Sequence, residues 1–366
     1  MSIVLLAAIA FLAYANGSND NVKGVATLIG SGRFDARTAL RWAAITTALG
    51  AMVSVWIGSG LLATFSGGGV IPKGAITLEF SAAVAAAAAT TVALATRFGF
   101  PVSTTHALVG ALVGAGLIAS PAGVHWTVVS RLIVLPLLLA PVLAVPTALA
   151  LERVTRRAGV AGLASSSPPC LCAVPSPVLV TAGGPAADGT VAAGMELSTG
   201  TLESCGPGSV VILTPSRVRD AADLFTSGLI GFARGMNDTP KIAALAIVAL
   251  GSTSIGAVAL VASVMALGGL VHGRRVGETM GRRVVPLTPR PALCANAVSA
   301  ALVLAASFAS LPVSTTHVSC GSIVGVGLRS RGVRGEVVKG IAAAWLITAP
   351  VAAALAAAVF VVAQWA

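Results

Sequence analysis

The chain of 366 residues is 56% hydrophobic, 4% aromatic and 10% charged, with a net charge of +11 and a mean hydropathy of +0.94. A soluble domain carries roughly 25% charged residues, so the composition excludes a soluble protein and identifies an integral membrane protein. Arg and Lys concentrate in short loops between apolar stretches and aromatics are too few for base-stacking platforms, so the charge is not a nucleic-acid footprint and no nucleic-acid partner is expected.

Long apolar stretches without alternating polarity read as helices, which satisfy their own backbone groups in lipid. They fall near 2–14, 22–30, 38–65, 75–96, 102–119 and 126–151, then near 224–233, 239–250, 254–272, 291–310, 313–328 and 338–363. The first ends in Ala13-Tyr14-Ala15, which resembles a signal-peptidase site. No Lys or Arg precedes it, so it is read as the first membrane helix. Glycines at Gly17 and Gly235 are expected to interrupt helices, which the bilayer tolerates where backbone faces a cavity or protein. Segments 75–96 and 102–119 fit either two full crossings or a re-entrant hairpin.

The predicted organisation is a first membrane repeat over 1–152, a cytoplasmic insert over 153–222 and a second, inverted membrane repeat over 223–366. Residues 158–214 contain no Lys or Arg. Turn signals at Gly183-Gly184-Pro185, Asp188-Gly189 and Gly206-Pro207-Gly208 fit a small β-rich appendage; a disordered linker fits equally. Cys170, Cys172 and Cys205 lie in this insert. Read as cytoplasmic, it disfavours a structural disulfide, and a three-Cys metal or redox site is the weaker alternative. Cys294 and Cys320 are expected as buried small hydrophobes.

One six-residue string occurs twice: Pro101-Val102-Ser103-Thr104-Thr105-His106 and Pro312-Val313-Ser314-Thr315-Thr316-His317. Gly110, Gly114 and Gly116 follow the first copy as Gly321, Gly325 and Gly327 follow the second. Asn19-Asp20 with Lys23 likewise recurs as Asn237-Asp238 with Lys241. The offsets are 314 − 103 = 211 and 237 − 19 = 218 residues. A duplicated polar motif in a chain of this composition points to a transporter built from two halves around a central site.

Basic loops alternate in opposite sense between the halves. Arg33, Arg37 and Arg41 face a partner loop near Ser252–Ser254 without basic residues. Lys73 stands alone where the partner loop holds Arg274, Arg275, Arg282, Arg283 and Arg290. This is the charge pattern of an inverted repeat, with both termini outside and the insert inside.

Pro101 disfavours helix immediately before it, and Ser103 or Thr104 would cap the helix that follows. Free amides at a positive dipole end, beside hydroxyl donors, make an anion site. Two such helix starts brought together could clasp one tetrahedral oxyanion. Ordinary capping is the plain alternative, and duplication weighs against it.

Asp20 and Asp238 are acids well inside apolar stretches, where a carboxylate costs ~2.5–3.5 kcal/mol on insertion scales. Each has a lysine three residues on, a neighbour on a helix. Mutual neutralisation would not explain why both pairs occupy the same place in each half. His106 and His317 could donate to the anion, shuttle protons or simply pack. Arg97 and Arg234 lie near the motifs without basic partners in the other half, and Arg234 could support the anion. His125 and His272 show no role.

The paired Asn-Asp and Pro-Val-Ser-Thr-Thr-His strings resemble those of the inorganic phosphate transporter (PiT) family, over both membrane halves. The resemblance implies an all-α integral membrane fold of two inverted repeats with broken helices and re-entrant hairpins, and a homodimer. It implies phosphate movement with sodium or protons. Ser103, Thr104, Thr105, Ser314, Thr315, Thr316, Asn19 and Asn237 would hold substrate with Lys23 and Lys241, and Asp20 and Asp238 would couple the ion. No enzyme activity, resident cofactor or metal is expected. A multi-pass protein of a bacterial cytoplasmic membrane is.

The family signature reads Asn-Asp-x-x-Asn, whereas this chain ends it with Lys23 and Lys241. These ammonium groups are read as stand-ins for bound cations, leaving proton coupling or weak sodium dependence. Sulfate is the alternative substrate. Phosphate at neutral pH keeps a proton that an aspartate can accept, and sulfate has none. An intramembrane phosphatase acting on a lipid pyrophosphate is the alternative of another class. It would call for an Arg-rich phosphate clamp, and no Arg is repeated.

Overall fold

The computed structural model describes residues 1–32, 34–66, 69–157, 169–180, 190–201, 210–247, 255–330 and 332–365. They form two compact units: residues 1–152 with 223–366, and residues 153–222.

The larger unit is helical. Its first half contains α1 (Ser2–Asp20), α2 (Ala36–Ile57), α3 (Leu78–Arg97), α4 (Thr104–Ala119) and α5 (Leu135–Arg157). The second contains α6 (Pro215–Ala243), α7 (Ile255–His272), α8 (Pro289–Phe308), α9 (Thr315–Ser330) and α10 (Gly335–Gln364). Among the described residues, seven helices are long and apolar enough to cross a membrane. Asp35 caps α2, its carboxylate accepting the Arg37 and Thr38 backbone N–H groups at 3.1 Å each.

The helices are not interrupted at Gly17 or Gly235, contrary to the sequence expectation. Helix α1 continues to Asp20 and gives way to a 3-10 turn over Asn21–Gly24, and α6 runs through Gly235 and Pro240 to Ala243. The two glycines serve close approach instead. A Cβ on Gly17 would overlap the Met265 carbonyl of α7, and one on Gly235 would overlap the Thr47 carbonyl of α2. Since 265 − 47 = 218, these are one contact made twice, each time across the halves.

The same exchange recurs further along. Gly110 and Gly114 of α4 abut α10 at Ala349 and Ala353, while Gly321 and Gly325 of α9 abut α5 at Pro141 and Val145. Reciprocal contacts of this kind are the mark of a two-fold relation between like parts. Small residues suit the seams, because lipid supplies no hydrophobic drive between helices and association rests on close packing. Alanines 82, 83, 85 and 87–89 of α3 are buried accordingly, and Phe80 meets Phe360 edge-on at 5.7 Å.

Helices α3–α4 and α8–α9 form helical hairpins with one short arm each. Helices α4 and α9 have 16 residues each, about 24 Å at 1.5 Å per residue, short of a hydrocarbon core of about 30 Å. Both hairpins turn alike. Gly99 (φ 75°) and Ser310 (φ 54°) occupy the left-handed region, and the Phe100 and Leu311 amides reach back to the Ala95 and Ala306 carbonyls at 2.9 Å. Cys294 and Cys320 are buried, as expected.

In the smaller unit, strands β1 (Pro169–Val180), β2 (Thr190–Thr201) and β3 (Val210–Leu213) form an antiparallel sheet in the order β2-β1-β3. The three turn signals lie outside the described residues. Cys172, buried in β1, is disulfide-bonded, against the expectation from compartment alone. Compartment sets the redox poise, whereas the fold decides which thiols meet.

Candidate functional site

Helix α4 begins as its sequence dictates. Ser103 is the N-cap and its hydroxyl oxygen accepts the His106 backbone N–H at 3.2 Å. Ser314 accepts the His317 N–H at the same distance. The amides of Thr104, Thr105, Thr315 and Thr316 open their helices and have no intrahelical acceptor. All six Ser and Thr side chains are buried.

The two helix starts meet. The Thr316 hydroxyl donates to the Val102 carbonyl at 2.6 Å, and the Thr105 hydroxyl donates to the Val313 carbonyl at 3.3 Å. The His106 and His317 rings lie 4.6 Å apart, with His317 also against Trp345 at 3.8 Å. The histidines thus pack on one another at the pseudo-axis.

The Asn-Asp-x-x-Lys segments close around these starts. The Lys23 ammonium donates to Asp20 of its own segment, to the Val102 carbonyl at 2.7 Å and to Thr316 of the other half. The Lys241 ammonium donates to Asp238 at 3.1 Å, Asn237, the Val313 carbonyl at 3.1 Å and Thr105 of the other half at 2.8 Å. Each ammonium has at least three oxygen acceptors, so protein oxygens account for all three of its protons in this conformation.

The halves differ in how tightly the asparagine and aspartate are engaged. The Asn19 amide donates to Thr96 at 2.9 Å and to the Phe100 carbonyl at 3.0 Å, and its oxygen accepts the Val102 N–H at 3.1 Å. Asn237 donates to Ser307 at 3.1 Å. Asp20 Oδ2 accepts from Thr104 at 2.8 Å and Asn16 at 2.7 Å. Asp238 Oδ2 has no hydrogen bond and lies 3.4 Å from Arg234 Nε.

The structure adds Asn16, Asn21 and Thr47, which the sequence reading passed over, and gathers them around Arg234, which that reading had named as a support for the anion. Arg234, fully buried, donates to Asn16 and Asn21 of the first half and to Thr47 at 3.2 Å. Asn21 donates to the Met265 carbonyl at 3.0 Å. The offset of 218 was the available signal, for it sets Asn16 opposite Arg234 and Asn21 opposite Thr239. Every expected site residue lies in or beside this cluster. It buries three cations, Lys23, Lys241 and Arg234, with two carboxylates, Asp20 and Asp238. An uncompensated buried charge costs several kcal/mol, and a bound anion would balance it.

The Phosphate transporter family profile matches residues 16–356. A putative phosphate permease of Pyrococcus horikoshii is 29% identical over 95% of this chain and 94% of its own. The chloroplast inorganic phosphate transporter 2-1 of Arabidopsis thaliana is 28% identical over 94% of this chain and 69% of its own. A probable low-affinity inorganic phosphate transporter of Mycobacterium tuberculosis is 27% identical over 96% of this chain and 74% of its own. A solved structure described as the sodium-dependent phosphate transporter superposes with a TM-score of 0.77 at 22% identity, covering 100% of this chain and 99% of that one.

Proposed function

Because the chain belongs to the phosphate transporter family, we propose that it carries inorganic phosphate across a cytoplasmic membrane by alternating access. The observation that carries this reading is the meeting of two capped helix starts with free amides, inside a buried cluster that has one cation in excess. Such helix ends bind tetrahedral oxyanions. The family and the relatives are transporters by name, which leaves the lipid-pyrophosphate phosphatase without support.

Phosphate is favoured over sulfate by Asp238 Oδ2, a buried carboxylate oxygen with no hydrogen bond. It can accept the proton that phosphate keeps at neutral pH, and sulfate offers none. Alternating access is supported by the unequal engagement of equivalent groups. A carrier facing one side has one repeat closed and its counterpart loose, and Asn19 and Asp20 hold more partners than Asn237 and Asp238.

The coupling ion is read from the lysines. Each ammonium is ringed by carboxylate, hydroxyl and carbonyl oxygens, the ligand type a hard cation takes. The resident ammonium groups occupy the place of movable cations, so the proposed driving ion is the proton, with little sodium dependence. The distribution of basic loops supports a cytoplasmic insert.

The deciding experiment is counterflow of labelled phosphate in proteoliposomes, with sodium and pH varied separately and sulfate as competitor. Phosphate counterflow that resists excess sulfate supports the reading. Counterflow with sulfate alone replaces the substrate, and a steep rise with sodium at fixed pH removes the lysine argument.

A further inference from the structure

A cavity of about 540 Å³ opens between α1, α3 and the junction that follows α7, its polar lining supplied in part by Ser18, Thr96, Arg97, His272, Arg274 and Arg275. One hydrogen bond separates its wall from the central cluster, because the Thr96 hydroxyl accepts the Asn19 amide at 2.9 Å. Asn19 in turn clamps the hairpin tip through Phe100 and Val102. The cavity therefore ends at the clamp that closes the first half.

Two of its three guanidinium groups are not spent on acids. Arg274 pairs with Glu278 at 2.9 Å, but among the described residues neither Arg97 nor Arg275 meets a carboxylate within 4.0 Å. Arg275 is held by the Arg97 backbone carbonyl at 2.9 Å. His272 is engaged by the Tyr14 hydroxyl at 2.6 Å.

The other repeat shows what the architecture alone requires. There Ser310 takes the place of Gly99, since 310 − 99 = 211, and Gly60 lies against Ser310 as Arg275 lies against Gly99. Thr96 has its counterpart in Ser307, and each accepts from its asparagine. Arg97 has its counterpart in Phe308, and the position against the turn that Arg275 takes here is taken there by the uncharged Gly60. The hairpin turn and asparagine clamp are built twice, whereas the guanidinium groups are placed at one end.

We propose that this cavity is a second anion subsite, a basic antechamber that holds inorganic phosphate on one face of the membrane, next to the Asn19 clamp. The inference rests on the reading that the central cluster carries phosphate. A cleft lined by one sign of charge between low-dielectric walls concentrates counter-ions and raises on-rates by roughly 10–10³-fold. Placed at a single face, it makes the two directions of transport unequal in substrate affinity while the central machinery stays symmetric.

The test is the KM for phosphate at each face of the full-length protein, in proteoliposomes of phosphatidylcholine alone, comparing wild type with Arg97→Gln/Arg275→Gln. Glutamine keeps a donor for the Arg97 carbonyl. We expect KM to rise about tenfold at the face carrying these arginines, kcat and the opposite KM to hold, and the difference to shrink at high ionic strength. Arg97→Lys/Arg275→Lys should keep most of the wild-type KM, which separates charge from packing. An unchanged KM, an equal shift at both faces, or a shift seen only when anionic lipid is added overturns the antechamber; the last result makes a lipid headgroup the occupant. If the wild type moves no phosphate, the reading of the central cluster fails and the antechamber falls with it.

Discussion

The Arg234 guanidinium donates to the side-chain oxygen of Asn16, the residue that holds its place in the other half, since 234 − 16 = 218. The bond ties α1 to α6 beside both aspartates, and one repeat supplies a cation where the other supplies an acceptor. A substitution that removes the charge should therefore weaken anion binding. We expect Arg234→Gln to raise the phosphate Kd at least tenfold, about 1.4 kcal/mol, and Arg234→Lys to recover part of it. Equilibrium binding to purified protein reads this directly. A Gln variant that melts earlier yet binds phosphate normally would make Arg234 a brace only.

The lysines give a second expectation. Lys23 and Lys241 fill oxygen cages that draw on both halves. Lys23→Asn/Lys241→Asn vacates both and restores the asparagine of the family signature. Phosphate uptake by the double variant should become dependent on sodium, with potassium unable to substitute, while wild-type uptake stays nearly flat across the same titration. Transport that is unchanged in rate and sodium response would refute a role for these lysines.

Ser103 and Ser314 carry two loads that can be separated. Each caps a helix, a contact worth ~1 kcal/mol, and each hydroxyl proton remains available to an anion. Ser103→Ala/Ser314→Ala should cost about 2 kcal/mol of stability and abolish phosphate binding. Glycine at the same positions costs only a few tenths per cap and should abolish binding as completely. Thermal melting beside binding distinguishes them. Binding that tracks stability across the two variants would reduce these serines to caps.

What could be read in advance follows from chemistry that repeats. The Ser-Thr-Thr starts and the Asn-Asp-x-x-Lys segments are identical in type in both halves, so duplication exposed them without any structure. Asn16 and Arg234 face one another but differ in type, so no repeat drew attention to Asn16. Gly17 and Gly235 were misread as helix breaks because a glycine in an apolar run looks the same whether it ends a helix or admits a neighbour. Only the carbonyls of Met265 and Thr47 tell the two apart. Loop charges did not separate a re-entrant hairpin from two crossings for a similar reason, since both give the same loop polarity. The turn residues of the insert fitted strands and a disordered linker equally and did not decide for the sheet, and the disulfide at Cys172 was not legible because spacing does not say which thiols meet.

The paired glycines yield a last expectation, one that tests the two-fold relation itself. A Cβ at Gly17 would overlap the Met265 carbonyl, and one at Gly235 would overlap the Thr47 carbonyl. Backbone atoms cannot swing aside as a side chain can, so the facing helices must part. Overpacking of this kind costs typically ~1–3 kcal/mol. Asn19 and Asp20 lie two and three residues beyond Gly17, and Asn237 and Asp238 stand likewise to Gly235, so the displacement reaches the site in either half. Gly17→Ala and Gly235→Ala should therefore lower the melting temperature by similar amounts and slow phosphate transport by similar factors. Gly335→Ala, where a Cβ would meet nothing within 4 Å, serves as the control and should change neither. If Gly17→Ala is damaging and Gly235→Ala is silent, the two contacts are not mechanically equivalent, and the exchange of roles between the repeats loses its structural basis.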